Sequence, residues 1–306
     1  MGSYDLIIIG GGPAGLTAGI YAGRAQLRVG MIERLMPGGQ VASTEWVENY
    51  PGFENGISGF DLMQSIEKQA RKFGLEVISG KVDDVRLNEN PKKIVVNGNE
   101  YDTKTIIIAT GSDPKLLNVP GEKEFKGRGV SYCATCDGPF FKDKNVVVVG
   151  GGSSGLQESI YLSRFVKSIR LVEIMPALNA EKILQKRARE NPKFSFYLNH
   201  EVLSINGEQK VESVSVLNRS SRKQMDIEAD GVFIWVGLNP NTQFLKDKIE
   251  LDKWGYIVTD RNMETSVPGV FAAGDVCSKA IRQISTAVGD GTIAAEYVLK
   301  FIENLK

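Results

Sequence analysis

The sequence predicts an α/β protein built from two units of the same plan, the second inserted into the first. Two observations predict the repeat: a strand, a glycine-rich loop, a helix and a second strand ending in glutamate occur twice, and 23 residues separate the first loop glycine from that glutamate both times. A third observation predicts the insertion. Near the carboxyl terminus a short strand ends in Gly274 and Asp275 and a helix-like segment follows without a third glycine loop, so we expect this part to complete the first unit.

The composition is that of an ordinary globular protein with no excess of charge. Its 306 residues include 37 basic and 37 acidic side chains, 42% are hydrophobic and 24% are charged, and this length suggests about two domains. A net charge of zero attracts neither nucleic acid nor an anionic membrane. No apolar run is long enough to span a membrane and the amino terminus lacks a signal-peptide pattern. We therefore expect no nucleic-acid or membrane partner, and a reducing, cytoplasmic location.

The first glycine-rich loop lies between a predicted buried strand, residues 5–9, and a predicted helix that runs to about Arg24. In a loop of the form G-x-G-x-x-G the first glycine permits a tight turn, the second lets the backbone approach a pyrophosphate, and the third lets the helix pack closely on the strand. The phosphate then meets free N–H groups at the start of the helix. The residues that we assign to this loop site are Gly10, Gly12, Pro13, Ala14 and Gly15.

The strand that follows, residues 28–32, ends in Glu33. An acidic side chain at this position can accept hydrogen bonds from ribose hydroxyls. A glycine triplet alone is weak evidence and fits a merely tight turn as well. Strand, loop, helix, strand and acid in this order predict a three-layer, Rossmann-like (ββα) dinucleotide-binding domain.

The chain between the two glycine loops is less regular. Residues 37–40 and 49–53 are rich in glycine and proline, so they are predicted loops that either line a ligand or lie plainly on the surface. Residues 59–73 have helical periodicity, and residues 76–101 alternate in a way that predicts a small antiparallel meander. Residues 105–111 then return to a buried strand that ends at a glycine.

The second unit repeats the first. Residues 145–149 are a predicted buried strand, a second glycine loop occupies residues 150–155, a helix runs to about Phe165, and a strand over 168–172 ends in Glu173. The residues that we assign to this second dinucleotide site are Gly150, Gly152, Gly155 and Glu173. Two dinucleotide units beside a redox-active pair of cysteines, described next, imply an electron path.

A C-x-x-C pair, Cys133 and Cys136, precedes the second unit's first strand, and Asp137 follows it directly. Two thiols at this spacing form an easily reduced disulfide, and an adjacent acid can move protons on and off the sulfurs. A structural zinc site needs four ligands, whereas the chain offers one further cysteine, Cys277, and one histidine, so we predict no metal. A structural disulfide is the other alternative, and it suits small secreted proteins better than a chain of this length.

The sequence resembles the low-molecular-weight thioredoxin reductases over its entire length. The resemblance rests on both glycine loops, on Thr110-Gly111, on Cys133-Ala134-Thr135-Cys136-Asp137 and on residues 271–275. It implies FAD on a discontinuous domain, residues 1–113 and 242–306, and a pyridine-nucleotide domain, residues 114–241, that carries the disulfide. It also implies a homodimer that reduces thioredoxin or a thioredoxin-like protein. Electrons would pass from flavin to Cys136, Cys133 would be the thiolate that attacks thioredoxin, and Asp137 would exchange their protons.

By the same resemblance a further set of residues contacts FAD. Asp275 is the central member, although an aspartate at a strand end also serves as a helix cap. The set comprises Gly12, Gly15, Glu33, Gly39, Gln40, Asn49, Ala109, Thr110, Gly111, Gly274, Asp275, Arg282 and Gln283.

The sequence departs from its relatives after the second unit's second strand. Relatives specific for NADPH place a motif of the type His-Arg-Arg-x-x-x-Arg there, whereas this chain has Glu173 followed by Ile-Met-Pro-Ala-Leu-Asn. Glutamate repels a 2′-phosphate and accepts from a free 2′-hydroxyl. We therefore expect NADH to be preferred over NADPH as the donor.

Two other functions remain open at this stage. One is a ferredoxin-linked flavin thioredoxin reductase, or a dithiol oxidase, of the same fold. The other is a nucleotide-binding sensor that uses the disulfide only as a switch. Reduction of the flavin by NADH, NADPH or ferredoxin separates the first from the leading prediction, and sustained turnover with thioredoxin would exclude the second.

Overall fold

The structure is a computed structural model that describes residues 3–44, 47 and 49–305. The chain divides into two compact units, one formed by Met1–Asp113 with Asn239–Lys306 and the other by Pro114–Leu238. Residues 239–241, which the sequence analysis assigns to the second unit, belong with the first. The reason is that the backbone N–H of Asn241 donates to the carbonyl of Gly111 at 3.0 Å and its side-chain amide donates to the carbonyl of Thr110, also at 3.0 Å.

The first stretch of the chain forms most of one sheet and its first two helices. A 3₁₀ turn at Gly39–Ser43 follows the second strand. The elements are β1 Tyr4–Ile9, α1 Pro13–Arg24, β2 Val29–Glu33, α2 Gly59–Lys72, β3 Glu76–Ser79, β4 Val82–Arg86, β5 Lys92–Val96, β6 Asn99–Ile108 and β7 Ser112–Pro114.

The middle stretch forms the second unit. Short 3₁₀ turns lie at Gly138–Phe141 and, after this unit, at Gln243–Leu245. The elements are β8 Val130–Ser131, α3 Ala134–Asp137, β9 Asn145–Val149, α4 Ser153–Leu162, β10 Ser168–Glu173, α5 Lys182–Glu190, β11 Phe194–Leu198, β12 His200–Asn206, β13 Ser213–Asn218, β14 Gln224–Glu228 and β15 Gly231–Ile234.

The last stretch returns to the first unit. Its elements are β16 Leu238–Pro240, β17 Val270–Ala272 and α6 Ile284–Glu303. Helix α6 packs tightly on α1, because a Cβ at Gly291 would lie 2.2 Å from the carbonyl oxygen of Ala14. Buried side chains of α1, α6 and the strands between them form one continuous apolar core.

The sheet of the first unit has the order β3-β2-β1-β6-β5-β4 within the described residues, and β17 also pairs with β6. The strands β3, β2, β1, β6 and β17 are parallel, and β4 and β5 are antiparallel additions. The short strand near the carboxyl terminus therefore completes the first parallel sheet, as predicted. It does so because Val270–Ala272 is an apolar segment that is buried where it pairs with Ile106–Ile108 of β6.

The predicted antiparallel meander over residues 76–101 is partly wrong. Strand β3 pairs in parallel with β2, because Glu76–Ser79 extends the open edge of the parallel sheet. The last strand of the meander and the predicted strand over 105–111 form one strand, β6. Its first half pairs antiparallel with β5 and its second half pairs in parallel with β17. A strand that changes partner along its length shows no break in sequence.

The second unit has a parallel sheet with the order β11-β10-β9-β15-β8 and a separate antiparallel sheet β12-β13-β14. The two units thus share one plan, and the predicted α/β class with a repeated unit is confirmed. In each parallel sheet the glycine loop follows the central strand at its carboxyl end. Ligands of open α/β sheets bind at that edge. No helix in the part of the chain that the structure describes combines the length and hydropathy needed to cross a membrane.

Candidate active site

The first glycine loop has the close backbone contacts that its sequence predicts. Gly10 adopts a φ of 108°, and a Cβ there would lie 2.4 Å from the carbonyl oxygen of Ala109. A Cβ at Gly15 would lie 2.0 Å from the carbonyl oxygen of Gly10. At Gly12, in contrast, a Cβ would meet none of the described residues within 4 Å. Gly10 and Gly15 therefore pack against neighbouring backbone, whereas Gly12 faces open space. Helix α1 begins directly after it, with Pro13 at its first position.

The carboxylate of Glu33 is hydrogen-bonded to the backbone of this loop. Its Oε2 accepts the backbone N–H of Gly11 at 2.7 Å, and its Oε1 accepts that of Leu35 at 3.0 Å. Each carboxylate oxygen has two lone pairs, so both can still accept a ribose hydroxyl. Glu33 thus holds the loop and remains able to bind a sugar.

The other residues assigned to this site come from loops that the sequence separates widely. Gly39 approaches the first glycine loop, since a Cβ there would lie 3.2 Å from the Cα of Gly12. The Gln40 amide donates to the carbonyl of Ser112 and, at 3.1 Å, to Asp113. Asn49 donates to the Gln283 side chain at 3.1 Å.

Strand β6 ends next to these loops, directly before Ala109. The Ala109 backbone N–H donates to the carbonyl of Ile9 at 2.8 Å, and the hydroxyl of Thr110 donates to the carbonyl of Asn241 at 2.9 Å. Gly111 follows with a φ of 67°. Ile9 is the last residue of β1, so the end of β6 and the start of the first glycine loop lie side by side at the carboxyl edge of the sheet.

Asp275 carries an unpaired polar atom at the same edge of the sheet. Its side chain is 37% exposed, yet its Oδ1 is buried and has no hydrogen-bond partner among the described residues. Burial raises the pKa of Asp275, and Lys279 and Arg282 oppose this. A buried acceptor without a partner costs free energy, so it fits a hydroxyl donor from a bound molecule. Gly274 before it contacts Ala14 closely, since a Cβ there would lie 2.9 Å from the Ala14 Cβ.

The second glycine loop repeats the geometry of the first. A Cβ at Gly150 would lie 2.4 Å from the carbonyl oxygen of Trp235, and a Cβ at Gly155 would lie 2.4 Å from that of Gly150. At Gly152 a Cβ would again meet none of the described residues within 4 Å. Glu173 is buried, and its carboxylate accepts the N–H groups of Gly151 and, at 2.9 Å, Met175. Both units therefore have an open cradle at the second loop glycine and a carboxylate beside it.

The segment after Glu173 presents apolar side chains where a phosphate site would need cations. Ile174 is 45% exposed and Met175 is 52% exposed. Arg219 also reaches this segment, with its guanidinium 3.4 Å from the Ile174 carbonyl. Arg219 could not be predicted from the sequence, because it lies 45 residues beyond Ile174, in the turn between β13 and β14, and no local pattern links these two residues.

The two cysteines of the C-x-x-C pair form a disulfide with a Cα–Cα distance of 5.4 Å. Cys133 caps the short helix α3, which begins directly after strand β8. Its Sγ accepts the backbone N–H of Cys136 at 3.2 Å and lies 3.3 Å from the hydroxyl of Thr135. Because β8 belongs to the same parallel sheet as β9, the disulfide and the second glycine loop both follow carboxyl ends of strands in one sheet.

Two polar residues beside the disulfide were missed by the sequence analysis. The buried hydroxyl of Ser131 donates to Asp137 at 2.5 Å and accepts the backbone N–H of Cys133 at 3.1 Å. Glu158 of α4 accepts the backbone N–H of Ala134; burial raises the pKa of Glu158 and that hydrogen bond opposes the rise. Ser131 lies two residues before Cys133 in the chain but belongs to no motif, whereas Glu158 reaches the disulfide only because α3 packs on α4.

The third cysteine, Cys277, is buried, and burial raises the pKa of its thiol to about 12. We expect that, after reduction of the disulfide, iodoacetamide at about pH 8 labels Cys133 or Cys136 and leaves Cys277 unlabelled, since only about one in ten thousand Cys277 thiols is ionised there. Peptide mass spectrometry of the native protein checks this, with the denatured protein as the control. Equal labelling of all three cysteines in the native protein would contradict it.

Known proteins match both units of the chain. The family model described as pyridine nucleotide-disulphide oxidoreductase matches residues 4–291. The thioredoxin reductase of Bacillus subtilis is 46% identical over 304 residues, which cover 99% of this chain and 96% of that protein, and the thioredoxin reductase of Listeria innocua is 45% identical over 304 residues, covering 99% and 95%. The crystal structure of thioredoxin reductase from Streptococcus pyogenes matches with a TM-score of 0.91 and 45% identity over 99% of each chain. The similarity therefore extends over the whole chain.

Proposed function

Because this chain belongs to the pyridine nucleotide-disulphide oxidoreductase family and, within it, to the low-molecular-weight thioredoxin reductases, we propose that it is an FAD-dependent thioredoxin-disulfide reductase. Electrons pass from a pyridine nucleotide through FAD and the Cys133–Cys136 disulfide to thioredoxin. The observation that carries the proposal is that disulfide, which follows a strand end in a unit that also has an open dinucleotide cradle. Turnover of thioredoxin by the purified protein with a reduced nucleotide tests it.

We assign FAD to the first unit and the pyridine nucleotide to the second. The open cradle at Gly12, the carboxylate of Glu33 and the unpaired Oδ1 of Asp275 suit the phosphates and hydroxyls of FAD. FAD, when bound, accepts a pair of electrons from a nicotinamide and passes it to a disulfide. The remaining contacts assigned to FAD are Gly10, Pro13, Ala14, Gly15, Gly39, Gln40, Asn49, Ala109, Thr110, Gly111, Gly274, Arg282 and Gln283.

The thiol chemistry follows from the surroundings of the two sulfurs. A thiolate on Cys133 accepts the N–H of Cys136, which favours the charged form and makes Cys133 the nucleophile. Its attack breaks the thioredoxin disulfide and forms a mixed disulfide, with one thioredoxin sulfur leaving as a thiolate. Cys136 then attacks the Cys133 sulfur and releases the second thioredoxin thiolate. Thioredoxin gains two electrons and two protons, and the enzyme disulfide is restored.

Asp137 is the group that we propose exchanges protons with these sulfurs. Ser131 donates to its carboxylate and accepts from the Cys133 backbone, so the acid is tied to the same turn as the nucleophile. Proton transfer by a positioned acid typically accelerates a reaction by about a hundredfold to ten-thousandfold. We therefore assign to Asp137 the protonation of a leaving thiolate.

We propose NADH as the preferred donor. Glu173 is a buried carboxylate held by two backbone amides beside the open cradle at Gly152. A 2′-phosphate carries nearly two negative charges at neutral pH. Placing it beside this carboxylate costs about 1–3 kcal/mol, which corresponds to about a tenfold to hundredfold loss of affinity. Arg219, an exposed cation whose guanidinium lies 3.4 Å from the Ile174 carbonyl, opposes this repulsion.

We expect NADH to bind at least about tenfold more tightly than NADPH in anaerobic titrations that follow bleaching of the flavin. Ile174→Arg should improve the affinity for NADPH and leave that for NADH nearly unchanged, because it adds a cation at an exposed position beside Glu173. Met225→Arg is the matched control, since Met225 is exposed to a similar extent in the same unit, 43% against 45%.

Arg219→Ala tests whether Arg219 binds the 2′-phosphate of NADPH. If the native protein prefers NADPH and Arg219→Ala removes that preference, Arg219 binds the 2′-phosphate and the proposed NADH preference is wrong. If neither nucleotide bleaches the flavin, another donor such as reduced ferredoxin takes its place.

The remaining assignments rest on the family resemblance. We propose that the protein is a homodimer, which sedimentation equilibrium tests. We also propose that it acts in the cytoplasm, because a dithiol that must stay reduced suits a reducing compartment.

A further inference from the structure

Lys279 lies between two carboxylates in the first unit. Its Nζ is 2.6 Å from Oδ2 of Asp290 and 4.0 Å from Oδ1 of Asp275. The side chains of Lys279 and Asp290 are 18% and 16% exposed. Partly buried charges at these distances interact more strongly than a surface ion pair does. The lysine therefore joins the chain after β17 to helix α6, which carries Asp290.

Asp290 also holds the backbone next to Asp275. The same oxygen that pairs with Lys279 accepts the N–H of Gly274 at 3.0 Å. Gly274 adopts a φ of 82°, so the chain turns there directly before Asp275. From the other side, the guanidinium of Arg282 approaches the Asp275 carbonyl at 3.4 Å and stacks over the ring of Tyr256, 4.2 Å from its centroid. The backbone of Gly274 and Asp275 is thus held on both sides.

The charges around Asp275 act on its ionisation in opposite directions. Its Oδ1 is buried without a hydrogen bond among the described residues, and burial raises its pKa, favouring the neutral acid. Lys279 and Arg282 oppose this, and Asp290 adds to the rise. Tyr256 and Cys277 also face Asp275, but burial raises both of their pKa values, so neither changes charge near neutral pH.

We propose that Lys279 and Asp290 are positioning residues that orient Asp275 and keep it ionised, so that its free oxygen accepts a hydroxyl of FAD. This inference rests on the proposed function, because it requires FAD in the first unit. Asp290 fixes the turn at Gly274 and anchors Lys279, and Lys279 compensates the charge of Asp275. Neither side chain needs to touch FAD.

The test is the affinity of the FAD-free protein for FAD, followed by quenching of flavin fluorescence between about pH 5.5 and 8.5. The ionised form of Asp275 is a stronger acceptor for a hydroxyl donor than the protonated form, so affinity falls as the pH drops through its pKa. Lys279→Met removes the opposing cation and moves that fall to higher pH. If the pKa rises by one unit, affinity at the acid end drops by up to about tenfold relative to the native protein, and the difference shrinks towards the alkaline end.

Three further variants distinguish an effect of charge from a structural defect. Lys279→Arg retains the charge and should restore the native pH profile. Asp290→Asn can still accept from Gly274, but it removes a negative charge that raises the pKa of Asp275 and frees Lys279 to pair with Asp275, so the fall in affinity should not move to higher pH as it does in Lys279→Met. Lys300→Met removes an exposed lysine from the same helix and should change nothing.

The outcomes distinguish a failure of this inference from a failure of the proposed function. Failure of the native protein to bind FAD would refute the proposed function itself. Native binding of FAD together with an unchanged affinity and pH profile in Lys279→Met would overturn the role of Lys279 alone. A uniform loss of affinity at every pH in that variant, not restored in Lys279→Arg, would also overturn it, since a purely structural defect has no reason to follow the titration of Asp275.

Discussion

Cys133→Ser and Cys136→Ser are each expected to lower thioredoxin reduction by at least about three orders of magnitude, because loss of a residue that forms the covalent intermediate removes most of the rate enhancement. Bound FAD should be unaffected, since both cysteines lie in the second unit and FAD is assigned to the first. Steady-state reduction of thioredoxin and the flavin absorbance of the purified variants measure the two effects. Cys277→Ala is the control and should retain full activity, because this buried thiol takes no part in the exchange.

The two variants should differ in what they trap. Cys136→Ser keeps the Cys133 thiol, whose thiolate the N–H at position 136 stabilises, so mixing with oxidised thioredoxin should give a covalent mixed disulfide visible on a non-reducing gel. Cys133→Ser should give little of this adduct. If the adduct forms mainly with Cys133→Ser, the roles of the two cysteines are reversed. Retained turnover in either variant would refute the disulfide as the electron carrier.

Gly152→Val is expected to abolish reduction by pyridine nucleotide while leaving both FAD content and folding intact. A Cβ at this position meets none of the described residues within 4 Å, and the backbone has φ −77° and ψ 174°, which any residue adopts. The added side chain therefore enters the open cradle rather than the protein. Losing two charge-assisted hydrogen bonds to a pyrophosphate, each of about 1.5–3 kcal/mol, corresponds to about a hundredfold to ten-thousandfold loss of affinity.

Gly12→Val is the matched variant in the first unit. Its position is equally open, with φ −75° and ψ −173°, so it should fold but purify without FAD. Anaerobic nucleotide titration measures the Gly152→Val effect, and flavin absorbance measures the Gly12→Val effect. Chemically reduced Gly152→Val should still reduce one equivalent of thioredoxin. If Gly152→Val loses FAD and Gly12→Val keeps it, the two dinucleotides are assigned to the wrong units.

The repeated strand, glycine loop, helix and acid could be predicted from the sequence because their geometry depends on residues close together in the chain. The predicted strand over residues 5–9 is observed as Tyr4–Ile9, and the strand over 145–149 as Asn145–Val149. A glycine at a tight turn and another at a close helix contact are required by sterics between neighbouring segments. The C-x-x-C spacing likewise predicted the disulfide, since three residues suffice to close it.

The packing around these local units was decided by contacts between distant segments. Strand β6 continues from an antiparallel to a parallel partner, and periodicity within a strand carries no information about its partner. Arg219, in the turn between β13 and β14, reaches the segment directly after β10, and Lys279 pairs with Asp290 only because α6 packs back over the glycine loop of α1. The sequence by itself determined which segments form dinucleotide cradles and a redox pair, because short-range sterics and hydrogen bonding specify them. The approach of Arg219 and Lys279 from distant segments was decided by the tertiary structure, because electrostatic interaction depends on distance in space and not on separation along the chain.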